Sequence, residues 1–233
     1  MGICPLYKRE CHVAQVWHPE ASDFERIPAV KLLHIDSSIL GPHSVSRILS
    51  GEIVDQQRRL HPGLEIIYRD LAADPLMHLS PAHIAAFHGA SPKDSAVLAD
   101  IADGGRVLDE LFAASILVIG APMYNFAISS QLTAWIDRLV VAGRTFRYTE
   151  KGIPESLLPK GKKAIIASSR GGSYGEDSPA AFLDHQESYL QATLGFIGIT
   201  DVIIIRAENI GKGVDAKNAA LAAARREISA LAA

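Results

Sequence analysis

SILVIGAP, from Ser115 to Pro122, is an uncharged apolar run that ends in proline and lies between two amphipathic stretches. A short run of this kind, bounded by turn residues, reads as a strand buried on both faces of a parallel sheet. Working outward, VKLLHID (Val30 to Asp36), Leu64 to Tyr68, KKAIIAS (Lys162 to Ser168) and Asp201 to Arg206 have the same character. Helical spacing separates them. The spacing predicts helices over Ser44 to Leu60, Ser80 to Phe87, Asp94 to Ala113, Ser129 to Val141, Ser188 to Ile197 and Asp215 to Leu231. His61-Pro62-Gly63 closes the first of these, and Gly104-Gly105 weakens the third, since each glycine costs about 1 kcal/mol against alanine. Five apolar strands alternating with helices define an α/β fold, and right-handed crossovers place helices on both faces of its parallel sheet.

The composition fits this reading and excludes others. Of 233 residues, 48% are hydrophobic and 21% charged, enough to bury a full core. The formal net charge of −3 lacks the basic excess of a nucleic-acid module, so no nucleic-acid partner is expected. No apolar run approaches the roughly 18 residues of a membrane span, so no membrane partner is expected either. The two cysteines, Cys4 and Cys11, exclude a disulfide scaffold. With His12 and His18 they fall in residues 1–29, which have no sustained apolar period and no signal-peptide pattern. The spacing of Cys4, Cys11 and His12 matches no common zinc arrangement, so no metal is expected. Residues 1–29 read as an N-terminal extension, expected to be mobile, and residues 30–233 as one domain.

In an open parallel sheet, ligands bind beyond the carboxyl ends of the strands. Three loops meet that description. Residues 37–46, SSILGPHSVS, bring four hydroxyls to the start of a helix, where free N–H groups and the positive dipole end favour an anion. No GxxxxGK[ST] and no G-x-G-x-x-G is present, so neither an NTPase P-loop nor a dinucleotide fingerprint applies. What remains is a neutral, hydroxyl-rich cradle for one phosphate group; helix capping by Ser44 and turn filling by Ser37 and Ser38 would account for the same residues. Residues 121–128, APMYNFAI, put Met123, Tyr124, Asn125 and Phe126 in one short loop, as a flat apolar ligand requires, or as a cover for the sheet end would. Residues 168–175, SSRGGSYG, carry paired glycines that let backbone approach a ligand, or that simply make a turn. At one edge of one sheet, the three together point to a phosphate-bearing planar cofactor.

The stretches DSSIL…SVS, APMYNFAISSQLTAWID, GRTFRYTEKG, KKAIIASSRGG and LGFIGITDV closely resemble the FMN-dependent NAD(P)H azoreductases, a group of flavodoxin-like quinone reductases once described as acyl-carrier-protein phosphodiesterases. The resemblance runs from about Lys31 to the last helix. It implies a flavodoxin-like sheet of order 2-1-3-4-5 and a cytoplasmic homodimer with FMN sites at the interface. It also implies tight, non-covalent FMN, NADH or NADPH as donor, and quinones and azo compounds as acceptors. Carried over by motif, Ser38, Ser44, Val45 and Ser46 would hold the FMN phosphate and its surroundings. Met123, Tyr124, Asn125 and Phe126 would line the isoalloxazine, and Ser169, Arg170, Gly171 and Gly172 would complete the site. Tyr148, in FRYT, would reach the partner subunit's flavin pocket. Phe126, Tyr174 and Phe196 would wall the substrate slot. Tyr174 departs from relatives that carry His there, which bears on substrate choice rather than on flavin binding.

A flavin would carry the hard chemistry, so no side chain is assigned as a catalytic nucleophile. Hydride would pass from the nicotinamide to flavin and on to the acceptor in ping-pong order, with backbone N–H groups stabilising the reduced ring. His34, His43, His185 and Asp36 invite a hydrolase reading, but no G-x-S-x-G elbow supports it. A flavodoxin-like electron carrier is the other alternative. Such carriers are strongly acidic, unlike this chain.

Overall fold

The computed structural model describes residues 30–232. The readings placed on residues 1–29, including Cys4, Cys11, His12 and His18, lie outside the described residues. The sheet strands are β1 (Lys31–Asp36), β2 (Glu65–Asp70), β3 (Ile116–Pro122), β6 (Lys163–Ser169) and β7 (Asp201–Ala207). They pair in parallel in the order β2-β1-β3-β6-β7. Two short strands, β4 (Phe146–Tyr148) and β5 (Pro154–Ser156), form a separate antiparallel hairpin between β3 and β6. Counting only sheet strands, the order is the expected 2-1-3-4-5.

Side-chain alternation along the strands divides the core into two layers. Leu32, Val118 and Ile165 face α1 (Val45–Leu60) and α6 (Val214–Ser229), packing with Leu49, Ile53, Leu221 and Ile228. Leu33, Leu117, Ile119 and Ile166 face the other side, toward α3 (Ser95–Ala113), α4 (Ser130–Ile136) and α5 (Glu187–Phe196), with Leu111, Leu132, Trp135 and Leu190. Helices thus cover both faces, which is why the central strand β3 is apolar and buried at every position. A short helix, α2 (Pro81–Phe87), packs against α3. No helix among the described residues is long and apolar enough to cross a membrane.

Two local readings need correction, and the helix expected over Asp94 to Ala113 holds. The helix predicted over Ser129 to Val141 is regular only to Ile136. Beyond it the backbone tightens into i→i−3 bonds, Arg138 to Trp135 at 3.0 Å and Leu139 to Ile136 at 2.8 Å, and the Thr145 hydroxyl accepts from Val141 N–H while donating to the Leu139 carbonyl. Helix α3 runs unbroken through Gly104-Gly105. Glycine suits position 104 because a Cβ there would lie 3.1 Å from Cδ of Arg138. The hairpin β4–β5 was not predicted as strands, since each is three residues long and flanked by turn residues.

Candidate flavin site

The carboxyl ends of β1, β3 and β6 bring the three loops together, and direct hydrogen bonds lock them. Ser37 Oγ donates to the Gly120 carbonyl at 2.8 Å. Tyr124 Oη lies 3.0 Å from Ser38 Oγ and accepts from Ile39 N–H at 3.3 Å, joining the first loop to the second. Met123 N–H donates to the Ser169 carbonyl at 2.8 Å, joining the second to the third. The third is held from behind by the turn after β7, where Asn209 N–H donates to Gly172 O and Gly211 N–H to Gly171 O. A Cβ at Gly211 would sit 3.1 Å from that Gly171 oxygen, so this close approach needs glycine.

Between these loops lies a cavity of about 300 Å3. Of the residues expected at the flavin, Ser38, Ser44, Val45, Met123, Tyr124, Ser169 and Gly171 line it. Ser44 is the N-cap of α1; its Oγ accepts from Arg47 N–H and lies 3.0 Å from Ser46 Oγ, so Ser46 stands one shell behind the wall. The start of a 16-residue helix thus opens onto the cavity with a hydroxyl beside it. Lys217 of α6 adds positive charge on the same side, where His43 also lines the wall. Lys217 escaped the sequence reading because one lysine in an alanine-rich helix carries no local signal; only the packing of α6 on α1 brings it to this edge.

The aromatic loop is conformationally unusual. Asn125 and Phe126 both have positive φ, 49° and 71°, inside a tight turn closed by reciprocal bonds between Tyr124 and Ala127. A left-handed aromatic residue is strained, and such strain concentrates at functional sites. The turn leaves Phe126 41% exposed, edge-on to Tyr174 with ring centroids 6.0 Å apart. These two rings flank the cavity rather than line it. Tyr148 stands 62% exposed on the hairpin. Phe196 packs on Phe146 at the hairpin's base, 4.8 Å between centroids, and does not line the cavity.

Arg170 is placed differently from its expected part in the flavin contact set. Its guanidinium is fully buried, paired with Asp184 at 2.8 Å, with Glu187, and with Glu208 at 3.3 Å, while Nε donates to Gln186 Oε1 and Ser168 Oγ. The side chain therefore fixes the third loop from beneath. Gly172 is covered by the Tyr174 ring, so it too stays off the cavity wall.

Beneath the first loop, Arg47 donates to the Ser38 carbonyl at 2.8 and 3.1 Å and pairs with Asp70, whose carboxyl it holds below the usual range. Tyr68 Oη donates to Asp36 Oδ2 at 3.1 Å. Burial of the hydroxyl, with the Asp36 and Asp70 carboxylates beside it, pushes the Tyr68 phenol up to about 12. A phenol whose folded pKa is raised contributes stability that is present below the ordinary value of about 10 and is lost as pH rises through the folded value. Chemical denaturation between about pH 10 and about pH 12 should therefore show a fall in stability that Tyr68→Phe removes. An identical alkaline fall in that variant would place the titration elsewhere.

The hydroxyl-capped helix start, the neighbouring Lys217 and the adjacent aromatic loop fit a group with a phosphate at one end and a flat ring at the other. The family model for the flavodoxin-like fold matches residues 30–232, nearly the whole of the described chain. The chain belongs to the flavodoxin-like family. Among its relatives in this family, an FMN-dependent NADH:quinone oxidoreductase of Sinorhizobium fredii is 53% identical over 200 residues, covering 86% of this chain and 96% of that one. One of the same name from Methylorubrum extorquens is 54% identical over 202 residues, 87% of this chain and 98% of that one. Of the solved flavodoxin-like structures, an azoreductase from Bacillus anthracis superposes with a TM-score of 0.77 at 26% identity, covering 86% of this chain and 97% of that one.

Proposed function

We propose that this flavodoxin-like protein is an FMN-dependent NADH:quinone oxidoreductase that also reduces azo compounds, acting as a cytoplasmic homodimer in two-electron, ping-pong turnover. The observation that carries the proposal is the single cavity in which the α1 N-terminus with Ser44 meets Met123 and Tyr124, in a chain 53% identical to a protein of that name. Bound FMN would supply the hydride-accepting and hydride-donating chemistry. The chain's own residues then have separable tasks. Ser38, Ser44 and Lys217, with the first N–H groups of α1, hold the phosphate, while Ser46 orients Ser44. Met123, Tyr124 and the turn at Asn125-Phe126 seat the ring, and the Ser169–Gly171 backbone closes its polar edge. Phe126 and Tyr174 leave an aromatic slot for a planar donor or acceptor, one at a time, which is the basis for ping-pong order. NADH as donor is the basis for the cytoplasmic assignment.

Exposed apolar groups on the hairpin, Tyr148 and Ile153, support the dimer, since such side chains gain from burial against a partner. In that arrangement Tyr148 reaches the partner subunit's slot and Phe196 supports the hairpin that carries it. The purified protein should show flavin absorption bands that bleach on anaerobic addition of NADH and return on addition of a quinone. A protein that stays colourless after FMN is supplied would overturn the proposal. Bands that persist with NADH would favour an electron carrier instead.

A further inference from the structure

The third loop turns out of β6 through Gly171 and Gly172 to Tyr174, one of the two rings that flank the slot. Glu208, the residue after the end of β7, meets that loop with both carboxylate oxygens. Oε1 accepts from Tyr174 N–H at 3.0 Å and from Arg170 Nη1 at 3.3 Å, and Oε2 accepts from Ser173 Oγ at 2.9 Å. The contact to Arg170 is the longest of that guanidinium's three ion pairs, 3.3 Å against 2.8 Å for Asp184. Arg170 therefore has its main partners elsewhere, and the shorter bonds of Glu208 go to Ser173 and Tyr174. Hydrogen bonds to a carboxylate are about twice as strong as neutral ones, so this grip is firm for a residue in a loop.

What the grip holds is the Tyr174 ring. It folds back over Gly172, where a Cβ would lie 3.1 Å from Tyr174 Oη and 3.2 Å from Cζ, so this resting place needs a glycine beneath it. Its edge meets Phe126 at an interplanar angle of 76°. Phe126 is fixed from another direction, its carbonyl accepting His185 N–H at 3.0 Å. The two rings are thus set by separate segments, the turn after β7 for one and the stretch before α5 for the other. Removing the Glu208 carboxylate would release Tyr174, while Gly171 and Gly172 keep their bonds from Gly211 and Asn209.

We propose that Glu208 is a positioning residue: by fixing the Tyr174 backbone it sets the Tyr174 ring against Phe126, and so the width of the slot that takes the planar donor and acceptor. This rests on the function proposed above. The action of Glu208 is indirect and runs through Tyr174.

The test is steady-state kinetics of the FMN-loaded protein with NADH and a water-soluble benzoquinone. Glu208→Ala should raise KM for both substrates and lower kcat/KM about tenfold, the scale of one lost hydrogen bond to a charged group. Both kcat and the FMN affinity of the flavin-free protein should stay unchanged, as loss of substrate positioning alone requires. Glu208→Gln, which retains an acceptor for Tyr174 N–H, should restore most of the loss. The decisive comparison is a double-mutant cycle: Glu208→Ala added to Tyr174→Ala should cost nothing further. Losses that add, an unmoved KM in Glu208→Ala, or a matching fall in its FMN affinity would overturn the proposal while leaving the quinone-reductase reading intact. A wild-type flavin that NADH fails to bleach would overturn that reading and this proposal with it.

Discussion

Ser44→Asp is expected to leave the protein folded and to lower its affinity for FMN by at least about a hundredfold. Aspartate is as good an N-cap as serine, so the α1 start keeps its bond to Arg47 N–H. The new carboxylate, however, stands at the mouth of the cavity where the phosphate is proposed to sit. Two unit charges about 4 Å apart repel by about 4 kcal/mol in a partly solvated site, and an FMN phosphate carries more than one charge. Riboflavin, which lacks the phosphate, should bind wild-type and variant alike. Fluorescence titration of the flavin-free protein with each ligand tests this directly. Equal FMN affinity in the two proteins would remove the helix start from the phosphate site, while a parallel loss for riboflavin would indicate general damage to the cavity.

Arg170→Met should destabilise the flavin-free protein by about 3–5 kcal/mol, the range for breaking a buried ion pair from one side. The substitution leaves Asp184, Glu187 and Glu208 facing one another, with Arg206, 2.8 Å from Glu187, offsetting them in part. It also frees Gln186, which otherwise links the Arg170 guanidinium to the Ala121 carbonyl at the end of β3. Urea denaturation with and without FMN separates two roles for this residue. Loss of stability in the flavin-free protein is the expected result and matches an arginine that braces the loop. Unchanged stability with lost FMN affinity would return the guanidinium to the flavin itself.

The sheet was legible because its signal is local. An uncharged run such as SILVIGAP fits few places other than a strand covered on both faces, and the turn residues after each run mark the carboxyl edge. The three loops of the candidate site were legible for the same reason: unusual composition at a predictable edge. Ser38, Ser44, Met123, Tyr124, Ser169 and Gly171 converge on one cavity as that argument requires. The end of α4 was not legible, because its tightening at Arg138 answers to Asp100, a residue 38 positions away. The hairpin strands, three residues each, offer too little periodicity to read, and Gly104 of α3 reads as weakness in sequence although Arg138 packs against it.

By itself, then, the sequence determined the class of fold, the order of its strands through family resemblance, and the loops that meet at the candidate site, since each depends on short-range pattern and composition. Only the tertiary structure decided what individual side chains do there. It turned Arg170 inward to a nest of carboxylates and brought Lys217 from the last helix to the first loop. It also buried two donors of Arg138 with no acceptor among the described residues. Each of these outcomes is set by electrostatic and packing partners distant in the chain, and a buried charge takes its position from those partners rather than from its neighbours in sequence.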